Sequence, residues 1–172
     1  MAARGATVAQ GLLVKLLCAV RHLYAIPAAV PGNRGRAGYE TCMEISGRYG
    51  FHAPSEVVFN NLTDPDRAHR WLPSGVNMQR CGSDRVRLIA PLGVAECEVD
   101  AAAEDMRLTL RSLHAPRVQG TAYVTDDPAG GSEVHIVVSA EGVDLDPQSV
   151  REVLDETMSH LCSDVDDNFN TG

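Results

Sequence analysis

Two stretches decide the fold of this chain: residues 121–139, TAYVTDDPAGGSEVHIVVS, and residues 147–168, PQSVREVLDETMSHLCSDVDDN. In and just before the first, Val118, Gly120, Ala122 and Val124 alternate with Gln119, Thr121, Tyr123 and Thr125. Beyond the DDPAGG turn, Val134, Ile136, Val138 and Ala140 alternate with more polar neighbours. Successive side chains on a strand point to opposite faces, so this pattern predicts an antiparallel hairpin in a sheet covered on one side only. The second stretch changes period. Val150, Val153, Leu154, Met158, Leu161, Cys162, Val165 and Phe169 fall on one stripe of a helix. Asp146 suits the N-cap, where its carboxylate accepts bonds from first-turn amides, and the locked φ of Pro147 suits the first helical position. Burying such a stripe stabilises by about 1.5–3 kcal/mol per large side chain, before entropy. The helix needs a partner surface, and the one-sided sheet supplies it.

Working outward, ETCMEISGRYGF reads as a first strand, with Cys42, Glu44, Ser46 and Arg48 on one parity and Met43, Ile45 and Gly47 on the other. HAPSEVVFNNLTDPDRAHRWLP then reads as two short helices. Pro54 and Ser55 open the first and Asn61 and Leu62 close it; Thr63 or Asp64 caps the second, with Pro65 near its start and Pro73 ending it. VNMQRCGSDRVRLI holds a bent or broken pair of strands, and GVAECEVDA and MRLTLRSLH are further strands. In the latter, Leu108 and Leu110 oppose Arg107, Thr109 and Arg111.

The N-terminal part reads differently. In residues 8–24, VAQGLLVKLLCAVRHLY, the large apolar residues gather on one half of a helix and Gln10, Lys15, Arg21 and His22 on the other. Lys15 and Arg21 interrupt what a membrane span or a signal sequence would keep apolar. An amphipathic helix packed on the domain, or in weak peripheral contact with a membrane, fits better. AIPAAVPGNRGRAG follows as a linker, so the sequence divides into residues 1–37 and a domain of residues 38–172.

Length and charge bound the function. At 172 residues the chain suits one main domain, which at this size buries roughly 70% of its unfolded surface. A net charge of −8 repels phosphate backbones, which argues against a nucleic-acid partner. Five cysteines without a CxxC pair suggest reduced thiols in a cytoplasmic protein and no zinc site. The chain has no G-x-S-x-G, Walker, H-E-x-x-H or G-x-G-x-x-G motif, so no cofactor is expected.

The order strand, two short helices, antiparallel strands, long terminal helix resembles the START-like (SRPBCC) superfamily, polyketide cyclase/dehydrase type. The resemblance covers about residues 39–169; residues 59–73, FNNLTDPDRAHRWLP, look like its segment after the first strand, with Asp66, Trp71 and Pro73 as its recognisable end. It implies an α+β helix-grip fold, a curved antiparallel sheet around the C-terminal helix with a hydrophobic cavity between them. It also implies binding of a lipid- or polyketide-like small molecule, with polyketide cyclase or aromatase activity, or a co-chaperone- or toxin-like interaction role, as alternatives.

On this reading the expected ligand-binding residues are Trp71, Leu108, Leu110, Ala122, Ile136, Leu154, Thr157, Met158 and Leu161, around a cavity of about 300–1,000 Å³. Thr157 is the polar residue inside the apolar stripe, and a bond back to the carbonyl four residues earlier competes with ligand contact. Ser112 and His114 continue the parity of Leu108 and Leu110, so His114 is a candidate base for an aldol-type cyclisation, against a simpler role as a loop histidine. Tyr123 and His135 fall on the opposite parity and should face solvent or a partner. Asp164, Asp166 and Asp167 oppose the helix dipole, so the last turn is expected to fray or to meet a cation or basic partner. The identity of the ligand and the oligomeric state are not readable from these residues.

Overall fold

The computed structural model describes residues 42–90, 93–114, 116–141 and 146–169. The amphipathic segment 8–24 and the linker after it lie outside the described residues.

Seven strands form one antiparallel sheet: β1 (Cys42–Phe51), β2 (Asn77–Arg80), β3 (Arg85–Ala90), β4 (Gly93–Ala102), β5 (Arg107–Ser112), β6 (Arg117–Asp126) and β7 (Ser132–Glu141). Their order across the sheet is β1-β7-β6-β5-β4-β3-β2. The first strand therefore pairs with the last, and the rest is a meander. The register places Ile45 opposite Val138, Gly120 opposite Val138 and Leu110 opposite Gly120, so the apolar parities of four strands merge into one concave face. The other parity carries Arg48, His135, Tyr123 and Arg107 in a single cross-strand row. Cross-strand ion pairs such as Arg87–Glu96, at 2.8 Å, keep this convex face wet.

Between β1 and β2 lie α1 (Ser55–Thr63) and α2 (Ala68–Trp71), and the chain closes with α3 (Pro147–Phe169). The second short helix begins three residues later than its sequence signals suggest. Asp64 does act locally, but its carboxylate accepts the amide of Asp66 at 2.9 Å and so stabilises a turn before the helix. At α3 the expected cap is present: the Asp146 carboxylate accepts the Ser149 amide at 3.0 Å and the Ser149 hydroxyl at 2.6 Å. These bonds also lower the Asp146 pKa below its ordinary value.

Three apolar clusters follow from this layout. The largest joins Met158, Leu161 and Val165 of α3 to Val58, Phe59 and Trp71, and to Leu108, Ala122 and Val134 of the sheet. A second sets Val150 against Ile45, Val118, Val138 and Ala140. The third, Val86, Leu88, Ala95 and Cys97, contains no helical residue among the described residues. The helix thus grips one side of the sheet, while the β2–β4 wing curls up toward the α1–α2 turn.

The last helix runs to Phe169, and Asp164 lies one turn before its end. Asp164 is buried, and its carboxylate receives Arg70 of α2 at 3.0 Å. A basic partner from another element meets the negative end of the helix, the second of the two outcomes the sequence allows.

Candidate functional site

A cavity opens where the β2–β4 wing meets the α1–α2 turn. Its apolar wall comes from Leu62 and Trp71 on the helical side and from Met78, Val86, Val99, Leu108 and Leu110 on the sheet. Thr63, Pro65, Arg80, Gly82, Ser83 and Arg85 form the remainder. Its volume is about 50 Å³, enough for a few waters or a small group, since one water needs roughly 10–15 Å³ of such space. This is smaller than the expected ligand-sized space, and it lies elsewhere. None of the lining residues belongs to α3, because Met158, Leu161 and Val165 fill the gap between helix and sheet at that end.

The nine expected ligand residues divide accordingly. Trp71, Leu108 and Leu110 line the cavity. Ala122, Met158 and Leu161 are buried in the main core, with Ile136 packed against it. Leu154 packs on the second cluster. Thr157 is half-buried, and no hydrogen bond back along the helix is formed by its hydroxyl. Trp71 is held in place by its indole N–H, which donates to the Asn61 carbonyl at 3.3 Å. Asn61 is anchored in turn, its amide donating to the Val57 carbonyl at 2.8 Å and its side-chain oxygen accepting from Arg67.

Ser112 and His114 do not reach the cavity. The Ser112 hydroxyl donates to the Pro116 carbonyl at 2.8 Å and accepts the Val118 amide at 2.9 Å, which closes the β5–β6 turn. His114 is largely exposed, 3.7 Å from Glu96 on the convex face. Tyr123 is exposed and lies beside His135, their ring centroids 6.4 Å apart.

Two features escape the sequence patterns. Gly120 occupies the concave face between Val138 and Leu110, and a Cβ there would meet nothing within 4 Å. The sheet is open above it. A glycine carries no hydropathy signal, so alternation alone could not mark this gap. On β1, Gly47 serves the opposite purpose: the Tyr49 ring lies over it, and a Cβ would stand 2.7 Å from the phenol oxygen.

The ionisable side chains of the cavity wall are the guanidiniums of Arg80 and Arg85. Among the described residues neither makes an ion pair or hydrogen bond through its side chain, which is true also of Arg117 and Arg151, whereas Arg48, Arg67, Arg70, Arg87, Arg107 and Arg111 are in ion pairs. No group of His, Cys, Asp and Glu among the described residues is placed to hold a metal ion. No described helix is long and apolar enough to cross a membrane.

No protein-family model matches the chain, and no curated protein matches it. Solved structures do. A START superfamily protein from Mycobacterium smegmatis matches with a TM-score of 0.63 and 10% identity, covering 72% of this chain and 97% of that one. The Zhui aromatase/cyclase from Streptomyces sp. R1128 matches with a TM-score of 0.56 and 15% identity, over 73% of this chain and 94% of its own. Norcoclaurine synthase from Thalictrum flavum matches with a TM-score of 0.56 and 10% identity, over 81% and 98%. Seven antiparallel strands curved around a long terminal helix, with two short helices after the first strand, give this chain the helix-grip fold of the START-like (SRPBCC) proteins.

Proposed function

We infer that the chain binds an apolar small molecule on the concave face of its sheet, entering at the cavity beside Trp71 and extending over Leu110 toward Gly120. The observation that carries this reading is the β2–β4 wing, to which α3 contributes no described lining residue: an apolar wall of sheet residues faces a cavity, and the neighbouring glycine looks onto open space. Side chains as apolar as Leu110 and Val99 gain by leaving water, and a ligand covering them gains about 25 cal/mol per Å² removed. The space at rest is small, so a lipid- or polyketide-sized ligand must displace Met78 or Leu62. Methionine suits this because its unbranched side chain repacks readily. Leu154 and Ile136, partly buried beside the second cluster, are the proposed far end of this track.

Binding is favoured over cyclase chemistry. An aldol-type cyclisation needs an acid–base group that changes protonation near the working pH. The ionisable groups of this wall are guanidiniums, which stay protonated, and His114 is on the other side of the sheet. A cytoplasmic setting, and a membrane-surface or packing role for residues 8–24, remain parts of the same proposal.

The test uses Trp71, the single tryptophan of the chain. Its emission is followed while the protein is titrated with a neutral apolar probe such as N-phenyl-1-naphthylamine. A saturable change in Trp71 emission with matching energy transfer is expected. A strictly linear response up to the solubility limit of the probe would overturn the reading. Native mass spectrometry of protein taken from its own host then identifies the resident molecule.

A further inference from the structure

We propose that the ligand is an anionic amphiphile whose oxyanion head, a carboxylate or a phosphate, is received by Arg80 at the cavity rim. This deepens the apolar-ligand reading and rests on it. Arg80 closes β2 on the same strand parity as Met78, which packs against the core and against the third cluster. It pairs in register with Val86, itself a wall residue, so its backbone is fixed at the apolar surface. Arg85 stands across the short β2–β3 turn, its carbonyl accepting the Cys81 amide at 2.9 Å. The register sets Arg85 opposite Glu98, yet Glu98 is in an ion pair with Arg111 instead. Asp84 is the acid within the turn, and it pairs with neither arginine.

Arg80, like Arg85, Arg117 and Arg151, makes no side-chain ion pair or hydrogen bond among the described residues, and of these it is the one whose strand parity sets it on the side of the apolar wall. A guanidinium presents a planar fork of donors that matches carboxylate and phosphate oxygens. A charge-assisted bond from Arg80 would add to, and orient, the binding of the apolar body. The two contributions are separable. The wall takes the body whatever the head, and Arg80 selects the head.

Four probes of one chain length separate them: decanoate, decyl phosphate, 1-decanol and decylamine, each kept below its micelle concentration and read by Trp71 emission. Decanoate and decyl phosphate are expected to bind at least about tenfold more tightly than decanol, and decylamine more weakly than decanol. The tighter of the two anions tells which head geometry the rim prefers. Arg80→Gln should bring decanoate to within about threefold of decanol. Arg48→Gln, which removes the same charge from the convex face, should alter none of the affinities. Decanol binding as tightly as decanoate to the wild-type chain overturns the proposal and leaves the apolar-ligand reading standing, as does an undiminished preference for decanoate in Arg80→Gln. If none of the four probes binds, the apolar-ligand reading itself falls. The wild-type panel decides the matter even where a variant does not fold.

Discussion

The Tyr49 hydroxyl, on β1, donates a 2.8 Å hydrogen bond to the Asp155 carboxylate on α3 and so ties the first strand to the helix that the sheet grips. Partial burial, and then the bond to Asp155 with its negative charge, raise the Tyr49 pKa above its ordinary 10.0. The folded state therefore holds the phenol proton more tightly than the unfolded state does. Its stabilising effect is complete below pH 10.0 and is lost as the pH rises beyond that value. At neutral pH, Tyr49→Phe should cost about 0.5–1.5 kcal/mol in urea unfolding, nearer the lower figure because the bond is exposed. Above pH 10 the wild type should lose stability more steeply than the variant. Identical slopes would mean that the bond does not form in solution.

Much of this architecture is legible in the residues themselves. The alternation around the DDPAGG turn and the Asp146–Pro147 start of the last helix depend on local chemistry, and both are present as read. The site is less legible because it depends on coverage. Val150, Met158 and Leu161 belong to one helical stripe, and nothing along the sequence tells how far over the sheet that stripe reaches. Met158 and Leu161 prove to be core, while the gap opens beyond them under Trp71. Asp164 shows the same limit. In sequence it is an acid at the wrong end of a helix dipole; its partner Arg70 is 94 positions away.

Gly120 supplies a direct test of the open concave face. A Cβ there meets nothing within 4 Å, and β-branched residues suit a strand better than glycine does. Gly120→Val should therefore leave the fold intact and raise its stability, by up to about 1 kcal/mol. It should also weaken binding of the neutral probe, because the new side chain occupies the proposed track. Thermal unfolding together with Trp71 fluorescence titration reads both effects. Higher stability with unchanged affinity would place the ligand elsewhere on the chain.

The Arg70–Asp164 pair should respond unequally to removal of its two members. Asp164 is almost wholly buried, with a side-chain exposure of 6%, while that of Arg70 is 51%. One carboxylate oxygen of Asp164 already has no hydrogen-bond partner. Arg70→Ala would strand the whole carboxylate in the core, at a cost of about 1–3 kcal/mol. Asp164→Asn keeps the size and removes the charge, and Arg70 can turn to solvent, so the loss should be smaller. Denaturant midpoints of the two variants give the comparison. A larger loss for Asp164→Asn would show that the pair acts through attraction rather than by relieving a buried charge.

The β3–β4 wing should be closed to thiol reagents. Cys97 sits in the third cluster with Val86, Leu88 and Ala95, and burial pushes its thiol up to about 11. The thiolate is the reactive form, so at pH 8 this group is both shielded and protonated. Cys42 and Cys81 are exposed. Peptide mapping after brief treatment with a maleimide at pH 8 should find label on Cys42 and Cys81, and on Cys97 only after denaturation. Because Cys81 directly follows Arg80 at the rim, its labelling should slow when decanoate is present, whereas that of Cys42 should not. Rapid native labelling of Cys97 would mean that β3 and β4 separate readily, and a wing so loose could not serve as the rigid wall against which a ligand is held.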